Sequence, residues 1–309
     1  MVTRSAWLFP GQGSQYVGMG KDLYDAYPEA RRIFDTAQSI VDFDLKAVCF
    51  EGPAETISQT RFSQPAIFVT SIATLEVFRS HSHFGRYQAV YAAGLSLGEA
   101  TALVASGSIG YEDGVRFVLQ RGRYMEEAAT QNPGMMAAVL GTELAVVERV
   151  CAETGAEVGN LNAPGQIVIS GHLKKVEDAI EKLRAAGAKR VIPLDVSGAF
   201  HSSCMDPACE RIAKALGTVP IVSPQVPVVS NLTADVESSP EEIRGNLVRQ
   251  MNHRTLWEDS MRRMIGQGVR TFFELGPGKV LKGLLKKIDP DVQTITLGTV
   301  EDYHELGRS

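Results

Sequence analysis

The sequence predicts an α/β protein in two parts, a large α/β unit with a smaller one inserted into it. Three observations carry that prediction. Short apolar runs with strand character alternate with segments of helical periodicity along most of the chain. One of those runs, "YQAVYAAG" (87–94), ends in "GLSLG", a sharp turn from strand to helix. Residues 132–199 then change pattern and read β-α-β-β-α-β, the order of a ferredoxin-like unit.

Taken in order, "SAWLF" is the first strand, and it runs into "PGQGSQYVGMG" (10–20), a loop with four glycines. The glycine spacing is wrong for a dinucleotide fingerprint, and no suitable acidic residue ends a following strand, so nicotinamide binding is discarded. Helical periodicity follows over 21–41 and 64–80. After the strand 87–94, "GEATALVASG" is rich in helix formers. From 111 to 127, Val115, Val118, Leu119 and Met125 form a helical stripe completed by Gly122. In the inserted unit, "GMMAAVLG", "AEVGNL", "GQIVISG" and "KRVIPLDVS" are strands, while "TELAVVERVCAET" and "LKKVEDAIEKLRAAGA" are helices. Beyond residue 200, 226–232 reads as strand, "EEIRGNLVRQM" and "LWEDSMRRMIGQG" as helices, and "VRTFFELGPGKVLKGLLKKI" as strand, turn and helix. "GPGK" lacks the spacing of a phosphate-binding loop.

Composition narrows the function classes. A hydrophobic fraction of 44% and a net charge of −5 over 309 residues describe an ordinary soluble protein with no basic stripe for nucleic acid. The apolar segment near the N-terminus is too short for a signal peptide, and no stretch reaches membrane-spanning length, so a cytoplasmic location is expected. The four cysteines are too few and too scattered for a disulfide framework. "HSSCMDPAC" (201–209) has ligand-like spacing but no evident fourth ligand, so no metal is expected.

Ser96 lies between Gly94 and Gly98 on the strand-to-helix turn, which aims its hydroxyl outward over the free N–H groups of a helix start. It reads either as a nucleophile or as an N-cap serine at a tight turn. A serine nucleophile needs a general base. Five of the six histidines lie in polar turns or near the terminus, whereas His201 follows a buried strand where the inserted unit hands back to the large one. The competing reading of His201 is a core histidine. No carboxylate stands out to orient it, although Asp206 is close in sequence. Arg121 falls beside Val118 and Met125 at the edge of the apolar stripe, while Arg116 and Arg123 point toward solvent. Arg121 either reaches a cleft or covers apolar surface with its stem.

"FPGQGSQ" (9–15), "GLSLGE" (94–99), "LQRGRYM" (119–125), "NAPGQIVISG" (162–171), "SGAFHSSCM" (197–205), "LVRQM" (247–251) and "ELGPGKVL" (274–281) occur in the order seen in the malonyl-CoA:acyl carrier protein transacylases. The chain resembles that family from about residue 10 to 285. The resemblance implies an α/β-hydrolase-like core over 1–131 and 200–309 with a ferredoxin-like subdomain over 132–199. It implies ping-pong transfer of malonyl from malonyl-CoA, through an ester on Ser96, to the phosphopantetheine thiol of acyl carrier protein, without a cofactor. His201 would be the base, oriented by a backbone carbonyl near Gln250, with the N–H groups of Gln12 and Leu97 forming the oxyanion hole. Arg121 matches the arginine that pairs with the malonyl carboxylate. Phe200 matches the residue whose bulk disfavours an α-methyl branch, and Asn162 and Gln166 match a segment that faces pantetheine and CoA. The family further suggests a monomer, serving fatty acid synthesis or loading a polyketide synthase. One departure is Leu95, where most bacterial relatives have histidine. The rival classes are a serine thioesterase, which would place an acid between serine and a late histidine, and a non-catalytic carrier-binding subunit.

Overall fold

The computed structural model describes residues 2–308. Ten strands run β1 Thr3–Phe9, β2 Tyr87–Gly94, β3 Gly134–Leu140, β4 Glu157–Ala163, β5 Gln166–His172, β6 Arg190–Pro193, β7 Val228–Val229, β8 Val236–Glu237, β9 Thr271–Leu275 and β10 Gln293–Leu297. They form two sheets, ordered β10-β9-β1-β2-β7-β8 and β4-β5-β3-β6.

The larger sheet is parallel except for its last pair, β7 with β8. Its central strands read as unbroken apolar runs because both faces are covered. On β1, Trp7 and Phe9 join one core with the helices Thr60–Ser80, Leu97–Ala105 and Tyr111–Gln131, while Ala6 and Leu8 join the other with Trp257–Gly266 and Val280–Ile288. On β9, Phe273 and Phe272 divide in the same way. The carboxyl ends of β1 and β2 lie side by side, Phe9 opposite Gly94, so the loops that follow them meet above the sheet. In an open α/β sheet that edge is where a ligand crevice forms.

The smaller sheet is antiparallel throughout, as the β-α-β-β-α-β order requires. Ala137, Val139, Ile167 and Ile169 pack on the helices Leu144–Thr154 and Leu173–Ala185. The alternate residues, Met136 and Val168, turn to the opposite face and pack with Met125, Phe200 and Met205 of the large part. The edge of β4 is stitched to the returning chain, since Leu161 N–H donates to the Thr255 carbonyl (2.9 Å) and Thr255 N–H to the Gly159 carbonyl (2.8 Å).

Several elements differ from the sequence reading. The helical run over 21–41 is two helices, Lys21–Ala26 and Pro28–Gln38, because Tyr27 precedes proline and takes extended dihedrals. The helix expected from 64 begins at Thr60 and carries Pro65 inside it. The strand expected over 226–232 pairs only at Val228–Val229, and the one over 189–197 only at Arg190–Pro193. The helices Leu45–Phe50, Ala54–Ser58, Asp206–Gly217 and Val300–Arg308 and the strand β10 were not anticipated.

Candidate active site

Ser96 sits at the turn between β2 and the helix Leu97–Ala105 with φ 52° and ψ −101°, a conformation costly for a residue with a Cβ. The glycines around it are forced by close approach. A Cβ on Gly94 would enter the Gly98 backbone, one on Gly98 would enter the Phe9 carbonyl, and one on Gly11 would enter the Leu95 carbonyl. These contacts press the loop after β1 against the elbow. Asn231 staples the turn from β7, because its Oδ1 accepts from Ser96 N–H (2.7 Å) and its Nδ2 donates to the Gly94 carbonyl (2.7 Å).

The structure brings Ser96 and His201 together across 105 residues of chain. The Ser96 hydroxyl donates to His201 Nε2 (2.9 Å), and Nδ1–H donates to the Gln250 carbonyl (2.8 Å). Both ring nitrogens are thus engaged, Nδ1–H as donor and Nε2 as acceptor. Asp206 is elsewhere, accepting from Asn252 Nδ2 (2.8 Å). Burial holds the His201 pKa down to about 4, with the Arg121 charge acting in the same direction and the Gln250 carbonyl against it. The ring is therefore neutral near pH 7, the state a general base requires.

Arg121 is only 2% exposed. Its Nη1 donates to Gln64 Oε1 (2.7 Å), and its Nη2 to Gln250 Oε1 (3.0 Å) and to Ser96 Oγ (3.2 Å). Burial lowers its pKa to about 10, opposed by the charge of Glu99. Among the described residues no carboxylate forms an ion pair with it. Arg116 and Arg123, by contrast, pair at the surface with Glu112, Asp113 and Asp42. The helical stripe thus separated the inward arginine from the two outward ones.

The N–H groups of Gln12 and Leu97 have no acceptor among the described residues, although the neighbouring amides of Gly13, Ser96, Gly98 and Glu99 are all bonded. Both residues border a cavity of about 150 Å³ with Ser96, Arg121 and His201. Phe200 and Asn162 also line it, and Asn162 Oδ1 is buried without a partner. Gln166 does not line it; its Oε1 accepts from Lys287 on the helix Val280–Ile288 (2.7 Å). A larger groove of about 610 Å³ beside Arg32, Arg79 and Arg116 holds none of these residues. Three participants escaped the sequence reading: Asn231, Gln64 and Glu99. Glu99 stands inside the quoted "GLSLGE", whereas only its place after a strand end marks Asn231.

A serine and a neutral histidine under two free N–H groups, with a buried cation 3.2 Å from the nucleophile, define an acyl-transfer site on a two-part α/β fold. The acyl transferase domain family matches residues 6–295, and the chain belongs to that family, within it to the malonyl CoA-acyl carrier protein transacylases. It is 43% identical over 305 residues to the malonyl CoA-acyl carrier protein transacylase of Bacillus subtilis (strain 168), covering 97% of this chain and 95% of that one. To the enzyme of the same name from Escherichia coli (strain K12) it is 41% identical, covering 97% of each. The solved structure of the Coxiella burnetii malonyl CoA-acyl carrier protein transacylase superposes with a TM-score of 0.95 at 34% identity, over 99% of this chain and 97% of that one. A malonyl-transacylase solved in complex with a type II PKS acyl-carrier protein superposes at 0.94 with 35% identity, over 99% of this chain and 100% of that one.

Proposed function

We propose that the protein transfers a malonyl group from malonyl-CoA to the phosphopantetheine thiol of an acyl carrier protein, by way of an ester on Ser96. The observation that carries the reading is Arg121, a buried guanidinium whose Nη2 lies 3.2 Å from Ser96 Oγ. A planar cation there suits an acyl chain that ends in a carboxylate, which it can grip with two hydrogen bonds. An uncharged acyl group would leave it unpaired.

His201 Nε2 takes the Ser96 proton as Oγ attacks the thioester carbon, and the N–H groups of Gln12 and Leu97 receive the developing oxyanion. The carbon–sulfur bond then breaks, and the departing CoA sulfur takes the proton from His201. In the second half, His201 deprotonates the carrier thiol, its sulfur attacks the seryl ester, and the proton returns to Ser96 Oγ. No cofactor enters either half. Residues 1–131 and 200–309 would supply this machinery, and 132–199 would cover the acyl chain with Met136, Asn162 and Val168. Phe200, in the cavity wall, would crowd an α-methyl branch. Gln166, outside the cavity, is left to the CoA or pantetheine end of the substrate. Among the described residues no helix is long and apolar enough to cross a membrane, in keeping with a cytoplasmic enzyme. We take it to act as a monomer.

The test is intact-protein mass spectrometry after mixing with equimolar malonyl-CoA and acetyl-CoA, beside Ser96→Ala. A malonyl adduct absent from the variant is expected, and an acetyl adduct or none would overturn the reading. A second assignment, loading of a polyketide carrier protein, is favoured by the likeness to the transacylase solved with a type II PKS acyl-carrier protein. Transfer rates to fatty-acid and polyketide carriers, measured side by side, separate the two.

A further inference from the structure

Glu99 lies three residues beyond the nucleophile, is wholly buried, and takes no part in the steps above. Its Oε2 accepts from Gln250 Nε2 (2.6 Å) and from Asn231 N–H (3.0 Å), and its Oε1 accepts from the Ser230 hydroxyl (3.3 Å). Gln250 passes this contact on, because its Oε1 accepts from Arg121 Nη2 (3.0 Å) while Nε2 also donates to the Ser96 carbonyl (3.1 Å). A carboxylate only accepts and a guanidinium only donates, so the two charges together fix which end of the amide faces which. Glu99 and Arg121 are thereby joined through one polarised amide, and each acts on the other's ionisation.

From this juxtaposition we propose that Glu99 is the resting counter-charge of Arg121, and that it sets how strongly the acyl pocket holds a carboxylate. Glu99 is a positioning residue in this scheme, acting through Gln250, and the inference rests on the malonyl-transfer reading. A buried guanidinium without any compensating anion would be costly. Glu99 compensates it at one remove, which leaves the Arg121 donors beside Ser96 free of a direct ion pair. When an acyl chain brings its own carboxylate, two anions share one cation, and Glu99 weakens the new pairing. Removing its charge while keeping its shape should therefore tighten malonate binding. Structural damage would act in the opposite direction.

The groups facing Glu99 allow a second, independent readout. Ser230, Asn231 and Gln250 do not titrate. Burial pushes the Glu99 carboxyl well above its ordinary range, and it pushes Glu237, packed behind it against Asn246, further still. Glu237 Oε2 has no hydrogen-bond partner among the described residues, as suits a carboxyl that keeps its proton near pH 7. His201, held down, stays neutral, and Arg121 stays charged. Between about pH 6 and pH 8, Glu99 is the group of this cluster that loses a proton, so malonyl-CoA should bind less tightly as pH rises across that range.

The experiment compares Glu99→Gln with the unmodified enzyme, measuring KM for malonyl-CoA and acetyl-CoA and competitive inhibition by malonate. At an effective dielectric near 20, a charge a few ångströms beyond the guanidinium predicts malonyl-CoA KM and malonate Ki about tenfold lower in the variant. Acetyl-CoA KM should stay put, and the pH dependence of malonyl-CoA KM should flatten. Weaker malonate binding, or equal losses with both substrates, would overturn the proposal. Should the variant fail to fold, the unmodified enzyme still decides: a malonyl-CoA KM that rises with pH while that for acetyl-CoA does not supports it, and a flat profile refutes it. An unmodified enzyme that does not prefer malonyl would instead refute the transfer reading itself, whatever the variant does.

Discussion

Replacing Arg121 with alanine removes a cation held by Gln64, Gln250 and Ser96 at 2.7, 3.0 and 3.2 Å. If the acyl carboxylate binds there, the variant must seat it in a cavity without its partner. Truncating one member of a buried charge pair costs about 3–5 kcal/mol. At 1.36 kcal/mol per decade, that is roughly a hundredfold to several-thousandfold in kcat/KM for malonyl-CoA. Acetyl-CoA has no charge to leave stranded, so its transfer should fall little or rise, and the malonyl preference should shrink by at least about a hundredfold. The assay is competition between the two acyl-CoA substrates, read as the masses of the acylated protein. Two glutamine oxygens lose their donor and Glu99 loses its counter-charge, so Tm should drop as well, and rates are to be compared below the new Tm. An unchanged malonyl-to-acetyl ratio in a folded Arg121→Ala protein would refute the assignment.

His201→Ala should slow acylation by about two to four orders of magnitude, seen as slower growth of the Ser96 adduct after rapid mixing, since among the described residues the only other partner of Oγ is Arg121, a donor. Because the folded pKa of His201 is lowered to about 4, the acylation rate at saturating malonyl-CoA should hold level as pH falls to about 5 and decline only on passing 4. The sign for this residue's share of stability follows: the unfolded chain takes up its proton below about 6.5 and the fold resists it, so as pH falls from 6.5 toward 4 the denaturation midpoint of the unmodified protein should drop relative to that of His201→Ala. Asn231→Ala leaves the Ser96 N–H and the Gly94 carbonyl unpaired and should lower stability by about 1–3 kcal/mol in urea unfolding, with kcat falling beyond what that accounts for. Gly98→Ala drives a Cβ into the Phe9 carbonyl and should yield little active protein, measurable as soluble yield and adduct formation.

What the sequence revealed of this site was what local geometry encodes. The elbow was legible because a strand, a turn and a helix start follow one another within a few residues, and Gly94 and Gly98 announce the close approach that the structure shows. Periodicity placed Arg121 at the edge of its helix's apolar stripe, apart from Arg116 and Arg123, but did not decide between a cleft and a stem covering apolar surface; its burial decides that. His201 was legible by its position at a seam, but the carbonyl that orients it lies 49 residues further on, and only the family resemblance pointed to Gln250. Asn231 and Gln64 act on Ser96 and Arg121 across 135 and 57 residues, and nothing local to either marks that reach. The "ELGPGK" turn has a similar history. Glu274, on β9, accepts from the N–H groups of Leu281 and Lys282 (both 2.8 Å) and so caps the start of the helix Val280–Ile288 that follows, a role visible only once the chain has turned back. Past Val229 the chain turns to the site: Ser230 N–H still reaches the Asp235 carbonyl (2.9 Å), but Asn231 gives its N–H to Glu99 and its side chain to Ser96.

The absence of an acid behind His201 follows from the same electrostatics. A carboxylate bonded to Nδ1 would raise the imidazole pKa and stabilise the charged ring. It would also stand close to Arg121, whose Nη2 contacts the same serine, and would compete for the cation that the acyl chain is to use. A backbone carbonyl orients the ring without adding net charge. Gln250 does both jobs at once, with its carbonyl on His201 and its side-chain oxygen on Arg121, while the carboxylate of Glu99 is kept behind its amide. The base thus stays neutral and the cation available in a single cavity, with no second anion among the described residues beside either.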